Sequence, residues 1–294
     1  MSLVSLALLL DDARSAGYGV GAFNAITLES AEAIVEAAES VSSPVVVQVS
    51  ENAVRYHGAL EPLATACRAV AQAARVPVAL HLDHATTPDL CRAGVEIGFG
   101  SVMLDLSALA YEANVRRTAG LVTWAHTRGI VVEAELGVVG GKDGVHAPGA
   151  RTDPADARRF VAATGVDALA VAVGSSHAMH SRTAVLDLAL VARLRAVVPV
   201  PLVLHGASGV PDDVLAQAVR QGITKVNLAT LMNRAFTAAV RGRLADDPEA
   251  VDPRRYLAEG RRAMASEIAR ILSLLGSAGR ARDGALAAST GQAT

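Results

Sequence analysis

Short apolar runs entered from Gly or Pro recur along the first half of the chain, at Val20 to Ala25, Pro44 to Ser50, Val76 to His84 and Phe99 to Asp105. The second half continues the series with Gly129 to Gly137, Val166 to His177, Val200 to Ser208 and Ile223 to Thr230. Between most of these runs lie segments with helical spacing. One is Leu28, Ala31, Val35 and Ala38 after Thr27, a residue placed to cap the helix. Runs that are almost wholly apolar, such as Val45 to Val47 and Leu169 to Val173, must be covered on both faces. About eight such βα steps predict an α/β fold, a closed (β/α)8 TIM barrel, with an open doubly wound sheet as the alternative. No GxGxxG fingerprint follows the first run, because Gly17, Gly19 and Gly21 are spaced differently, so dinucleotide binding is disfavoured.

No linker rich in Pro, Gly or Ser divides the chain. A single domain is expected over residues 1–278, with a flexible tail over 279–294 where Ala, Ser, Gly and Thr accumulate. The opening run Leu3 to Leu10 has no basic flank and is followed by Asp11 and Asp12, which reads as an amphipathic helix rather than a signal peptide. No later apolar run reaches the roughly twenty residues of a membrane span.

With 51% hydrophobic and 19% charged residues, the 294-residue chain has enough apolar surface to offset its ordering entropy. Its formal charge of -2 and 3% aromatic content offer neither a basic footprint nor stacking platforms, so nucleic-acid and anionic-membrane partners are excluded. Cys67 and Cys91 are too few for a disulfide framework and read as buried thiols in a reducing compartment, which points to a cytoplasmic protein.

Polar residues interrupt the apolar runs mostly near their carboxyl ends, where a parallel barrel builds its active site. His81, Asp83 and His84 close the third run, Glu133 and Glu135 lie in the fifth, and His177 ends the sixth with His180 just beyond. His205 and Ser208 close the seventh, and Lys225, Asn227 and Thr230 occupy the eighth. Histidines from three strand ends, leaving room for a substrate oxygen, form the ligand set of a catalytic zinc site, and His84, His177 and His205 are assigned to it. Asp83, beside His84, is placed as general acid/base, with pairing to a ligand imidazole as its bland alternative. Glu133 and Glu135 share a strand face; either tunes or transiently binds the ion, or simply neutralises Lys225. The Gly206 to Gly209 turn and the Asn227 to Thr230 strand end belong to the units where barrels commonly bind phosphate. The Gly140 to Gly144 stretch reads as a hinged lid whose Asp143 can bring an acid to the site.

Five motifs in order carry a family resemblance: Gly21-Ala22-Phe23-Asn24, His81-Leu82-Asp83-His84, Ser101-Val102-Met103-Leu104-Asp105, Val132-Glu133-Ala134-Glu135-Leu136-Gly137 and Leu204-His205-Gly206-Ala207-Ser208-Gly209. The chain resembles the class II, zinc-dependent ketose-bisphosphate aldolases over nearly its whole length, to about Gly279. Ala207 and the Asn227-Leu228-Ala229-Thr230 segment look more like the tagatose-bisphosphate branch than the fructose type. The resemblance implies zinc on His84, His177 and His205, with Glu135 nearby. Asp83 is then the catalytic acid/base, and dihydroxyacetone phosphate is held by Gly206, Ala207, Ser208, Asn227, Leu228, Ala229 and Thr230. Asn24 and Ser50, at the ends of the first two runs, complete the expected substrate contacts. It further implies a homodimer or homotetramer and a monovalent cation, Na+ or K+, near the phosphate.

Two departures stand out. The family's usual Gly after the second zinc histidine is Ala178 here, with His180 where a Tyr commonly follows. The lid is one residue shorter than usual, leaving Asp143 to replace a glutamate that exchanges the carbon-bound proton. The expected reaction is reversible aldol cleavage of a ketose 1,6-bisphosphate. Its rivals are a Schiff-base aldolase using Lys225, a class II aldolase acting on another phosphorylated keto sugar or keto acid, and a non-catalytic sugar-phosphate binding protein.

Overall fold

A computed structural model describes residues 2–136, 151–177, 179 and 181–281. Its parallel strands close into a barrel in chain order: β1 Val20–Asn24, β2 Val45–Ser50, β3 Val78–Ala85, β4 Ser101–Leu104, β5 Val131–Leu136, β6 Ala168–Val171, β7 Leu202–Leu204 and β8 Ile223–Leu228. Closure is direct, β8 pairing with β1 through Val20 with Lys225 and Ala22 with Asn227. The protein is a single-domain TIM barrel with its helices outside the sheet.

Side-chain alternation divides the apolar residues into two cores. Outward residues such as Phe23, Val47, Leu82, Leu104, Val132, Leu169 and Leu204 pack under the helices. Inward residues Val20, Ala22, Val46, Ala79, Met103, Val131, Ala168, Ala170 and Val203 fill the amino-terminal part of the bore. The opening helix, Leu6–Ala16, lays Leu6, Leu9, Leu10 and Ala13 against that inner set and plugs the barrel. Each of those leucines contributes roughly 1.5–3 kcal/mol through burial. The apolar opening run is therefore a structural plug.

Thr27 caps the Leu28–Ser40 helix as expected: its Oγ1 accepts from the Ser30 N–H, and the Ser30 Oγ accepts from the Thr27 N–H. Of the four residues in that spacing Ala31, Val35 and Ala38 are buried, while Leu28, the first residue of the helix, is 47% exposed. Most strands are slightly shorter than their apolar runs, and two end well short. β6 ends at Val171 and β7 at Leu204, whereas apolar composition alone extended them to His177 and Ser208. Beyond them Gly174 takes φ 118° and Gly206 φ 66°, left-handed values that end extended pairing. His177 accordingly stands in the loop after β6, not at a strand end.

Both cysteines are buried, and burial pushes their thiols up to about 12. Among the described residues no helix is long and apolar enough to cross a membrane. At the other end of the chain the Gly279 N–H donates to the Val41 carbonyl at 2.8 Å, and the Ala281 N–H to that of Ser42 at 2.9 Å. Residues 282–294 of the expected tail lie outside the described residues.

Candidate active site

Along the strands the inward positions, two residues apart, change from apolar to polar towards the carboxyl end. On β3 the series is Ala79, His81, Asp83; on β2, Val46, Gln48, Ser50; on β5, Val131, Glu133, Glu135. Parallel register aligns them, pairing Gln48 with His81 and Ser50 with Asp83. Asp83 and His84 are consecutive and in a regular strand would face opposite sides. The β3–β4 register shifts between Leu82 and Ala85, and His84 adopts φ 52°, a left-handed value rare for a residue with a side chain. This bulge turns both side chains into one cavity.

His84, His177 and His205 converge: their ring centroids lie 4.5 Å (His84–His205), 5.1 Å (His84–His177) and 5.7 Å (His177–His205) apart. One nitrogen from each falls within a 4.8 Å cluster. The His84 Nδ1 stands 2.8 Å from Asp105 Oδ2, and the His205 Nε2 stands 3.0 Å from Glu133 Oε1. An imidazole beside a carboxylate donates its N–H there, so the opposite nitrogen carries a lone pair. Those opposite nitrogens, His84 Nε2 and His205 Nδ1, face each other at 2.8 Å. Burial, reinforced by the neighbouring His84, pushes His205 well below the usual imidazole range, so its ring is neutral. Two lone pairs at that distance repel unless a proton or a metal cation lies between them. This donor set fits a divalent metal such as zinc, held by neutral imidazoles that carboxylates orient from behind. Glu135 belongs to the same region, with Oε2 3.8 Å from His205 Nδ1 and a carboxylate oxygen clustered with His84 and Asp105.

Asp83 is fixed at both oxygens. Asn24 Nδ2 donates to Oδ2 at 2.9 Å and Asn227 Nδ2 to Oδ1 at 3.3 Å, while Gln48 Nε2 holds Asn24 from behind at 2.9 Å. Burial raises the carboxyl's pKa, but His84, His205, Lys225 and the Asn24 hydrogen bond together hold it below the usual carboxylate range. Lys225 is wholly buried, and its Nζ donates to Glu133 Oε2 at 2.8 Å. Of the two readings for the glutamate pair, Glu133 thus takes the charge-neutralising one and also backs His205. Lys225 does not line the cavity, which removes the geometric basis for a Schiff base. His81, also buried, bonds Ser101 Oγ through Nδ1 at 3.0 Å.

The phosphate-type elements form the cavity's other wall. Gly206, Ser208, Ala229 and Thr230 line it, and Ser208 Oγ accepts from the Leu231 N–H at 3.2 Å at the start of the Thr230–Asp246 helix. A helix start, whose first N–H groups lack intrahelical partners and whose dipole end is positive, favours an anion. Gly206 is required: a Cβ there would lie 2.6 Å from the Ser176 carbonyl. Asn24 and Ser50 also line the cavity as expected. Ala207 and Leu228 do not, because their side chains pack into the outer core, leaving only their backbone for a ligand. Asp143, Ala178 and His180 lie outside the described residues.

Sequence reasoning passed over three residues of this site. Asp105 ends an apolar run, so the criterion that found His84 applied to it equally. Gln48 is the one polar residue inside Val45 to Val49. Asn52 lines the cavity from the first turn of the Glu51–His57 helix, a position that no strand-end signal marks.

The family described as "Fructose-bisphosphate aldolase class-II" matches residues 4–280. A protein of Geobacillus stearothermophilus named fructose-bisphosphate aldolase is 41% identical over 285 residues, covering 96% of this chain and 99% of that one. The crystal structure of the YdjI aldolase from Escherichia coli K12 superposes with a TM-score of 0.85 at 33% identity, covering 95% of this chain and all (100%) of that one. The fold also matches the fructose-bisphosphate aldolase of Campylobacter jejuni, with TM-score 0.77, 24% identity, and 94% and 96% of the two chains covered.

Proposed function

Because this chain belongs to the class II fructose-bisphosphate aldolase family, metal-dependent aldehyde-lyases, we propose that it reversibly cleaves a ketose 1,6-bisphosphate of the fructose or tagatose type. The products are dihydroxyacetone phosphate and a phosphorylated aldehyde. The observation that carries the reading is the convergence of His84, His177 and His205 beside an ionised Asp83 at the mouth of the barrel.

In this reading His84, His177 and His205 hold the divalent ion, with Glu135 beside them. When bound, the ion supplies a Lewis acid that stabilises negative charge developing on the ketose oxygens, an effect worth several kcal/mol. Asp83 accepts the C4 hydroxyl proton as the C3–C4 bond breaks, and the electron pair of that bond stays on the three-carbon fragment. The Asn24 and Asn227 amides keep the carboxylate aimed throughout, so the proton returns to the aldehyde oxygen in the condensation direction. Asp143 is the proposed donor to the carbon of the three-carbon fragment. Gly206, Ser208 and the N-terminus of the Thr230–Asp246 helix hold its phosphate, with a monovalent cation, Na+ or K+, beside it. A cytoplasmic homodimer or homotetramer completes the proposal.

The test is a panel of phosphorylated ketoses offered to chelator-treated enzyme with and without added zinc. Cleavage of fructose or tagatose 1,6-bisphosphate is expected to disappear with chelation and return with zinc. Full cleavage by metal-depleted enzyme would defeat the proposal.

A further inference from the structure

The loop from Ala172 to Asp187 carries His177 and leaves the barrel before returning to the Leu188–Val197 helix. Its base is closed by the Asp187 N–H donating to the Val173 carbonyl at 2.8 Å. Its far side rests on the turn after β7, where the Ala184 N–H donates to the Gly209 carbonyl at 2.9 Å. The contact is close: a Cβ on Gly209 would lie 2.5 Å from Met179 Sδ, so the two segments interlock. One charged side chain of the loop spans the joint. Arg182 donates to the Val210 carbonyl from Nε at 3.0 Å and from Nη2 at 2.6 Å, and Nη2 also reaches Asp212 Oδ1 at 2.5 Å. Asp212 is held from its other side by Arg270 Nη1 at 2.7 Å, and Arg270 is itself anchored on Glu267 at 2.6 Å.

We propose that Arg182 is a positioning residue that clamps the His177 loop onto the turn bearing Gly206 and Ser208, so that metal retention depends on a guanidinium outside the cavity. The inference rests on the reading of His177 as a metal ligand. The geometry suits Arg and no other residue. A planar fork satisfies the Val210 carbonyl twice and the Asp212 carboxylate once, whereas an ammonium offers a single point charge on a flexible stem. Arg182 is not among the residues lining the catalytic cavity. Its effect must therefore pass through the loop. A ligand on a loop contributes binding only as far as the loop keeps it in place; a partner bonded directly to the ligand side chain is typically worth about 10–100-fold in affinity, and Arg182, acting through the loop, is expected at or below the lower end of that range.

The experiment measures zinc release from the loaded enzyme into excess chelator, followed with a chromogenic indicator, for the parent, Arg182→Met, Arg182→Lys, Asp212→Asn and His177→Ala. Arg182→Met is expected to release zinc several-fold faster, up to about 10-fold, with the melting curve of its metal-free form unchanged. Arg182→Lys is expected to recover part of the difference, and Asp212→Asn to show a smaller increase of the same sign. Parental release rates in both Arg182→Met and Asp212→Asn, while His177→Ala loses its zinc, would overturn the clamp alone. If Arg182→Met fails to fold, Asp212→Asn decides by the same criterion. Should His177→Ala retain zinc as the parent does, the ligand assignment falls and the clamp with it.

Discussion

In the amino-terminal half of the bore the inward side chains are Val20, Ala22, Val46, Ala79 and Val131, sealed by Leu6 and Leu9; one or two pleats further along the same strands stand Asn24, Gln48, His81, Asp83 and Glu133. Backbone, pleat and closure are the same in both halves. What differs is the partner each side chain requires. An apolar inward residue needs only contact, which neighbouring strands and the plugging helix provide. A buried charge needs a specific counterpart, and Glu133 has two within 3.0 Å, His205 and Lys225. Taking the Glu133–Lys225 ion pair out of water costs several kcal/mol, and the attraction between its members largely offsets the cost without adding stability. The polar half thus gives aimed groups, and the apolar half supplies the stability that tolerates them.

The largest expected effect on this contrast comes from Asp83→Asn. Turnover should fall by about 10³-fold, while zinc content and melting temperature stay at parental values. Steady-state kinetics with metal analysis checks this, and parental turnover would remove Asp83 from the mechanism. Next is Lys225→Met, which leaves the Glu133 carboxylate buried beside neutral rings and should cost about 3 kcal/mol in denaturant unfolding. Adding Glu133→Gln should restore at least half of that loss, whereas additive losses would show that the pair is not coupled. The smallest effect belongs to the plug: Leu9→Ala should cost about 2–3 kcal/mol through its cavity and leave turnover unchanged. A fall in turnover matching the fall in stability would mean that the two halves of the bore are not independent.

The inward series are legible in the chain as alternation, and so is the concentration of histidines and carboxylates near carboxyl ends. Those signals are local, because a two-residue period fixes which side chains share a face and the polarity of that face reports what it meets. The motifs around His84 and His205 bring the metal site into view for the same reason, although 121 residues separate them. The resemblance of five ordered motifs extends this to a reaction.

The strand ends are not legible in the same way. Composition stays apolar past Val171, but Gly174 takes a left-handed φ and the carbonyls of Ala172 and Val173 accept from Thr152 and Asp187 instead of extending the ladder. The bulge that turns His84 beside Asp83 depends on the register with β4, a relation between segments rather than a property of either.

By itself the chain's pattern determined the eightfold alternation of strand and helix, the amphipathic opening helix and the end of the barrel at which chemistry gathers. Tertiary structure alone decided which imidazole nitrogens face inward, that Glu133 answers Lys225 while Asp105 backs His84, and that Arg182 ties the His177 loop to its neighbour. The division follows from range. Periodicity and burial are written in consecutive residues, whereas hydrogen-bond partners far apart in the chain are chosen only when closure of the sheet brings them within about 3 Å.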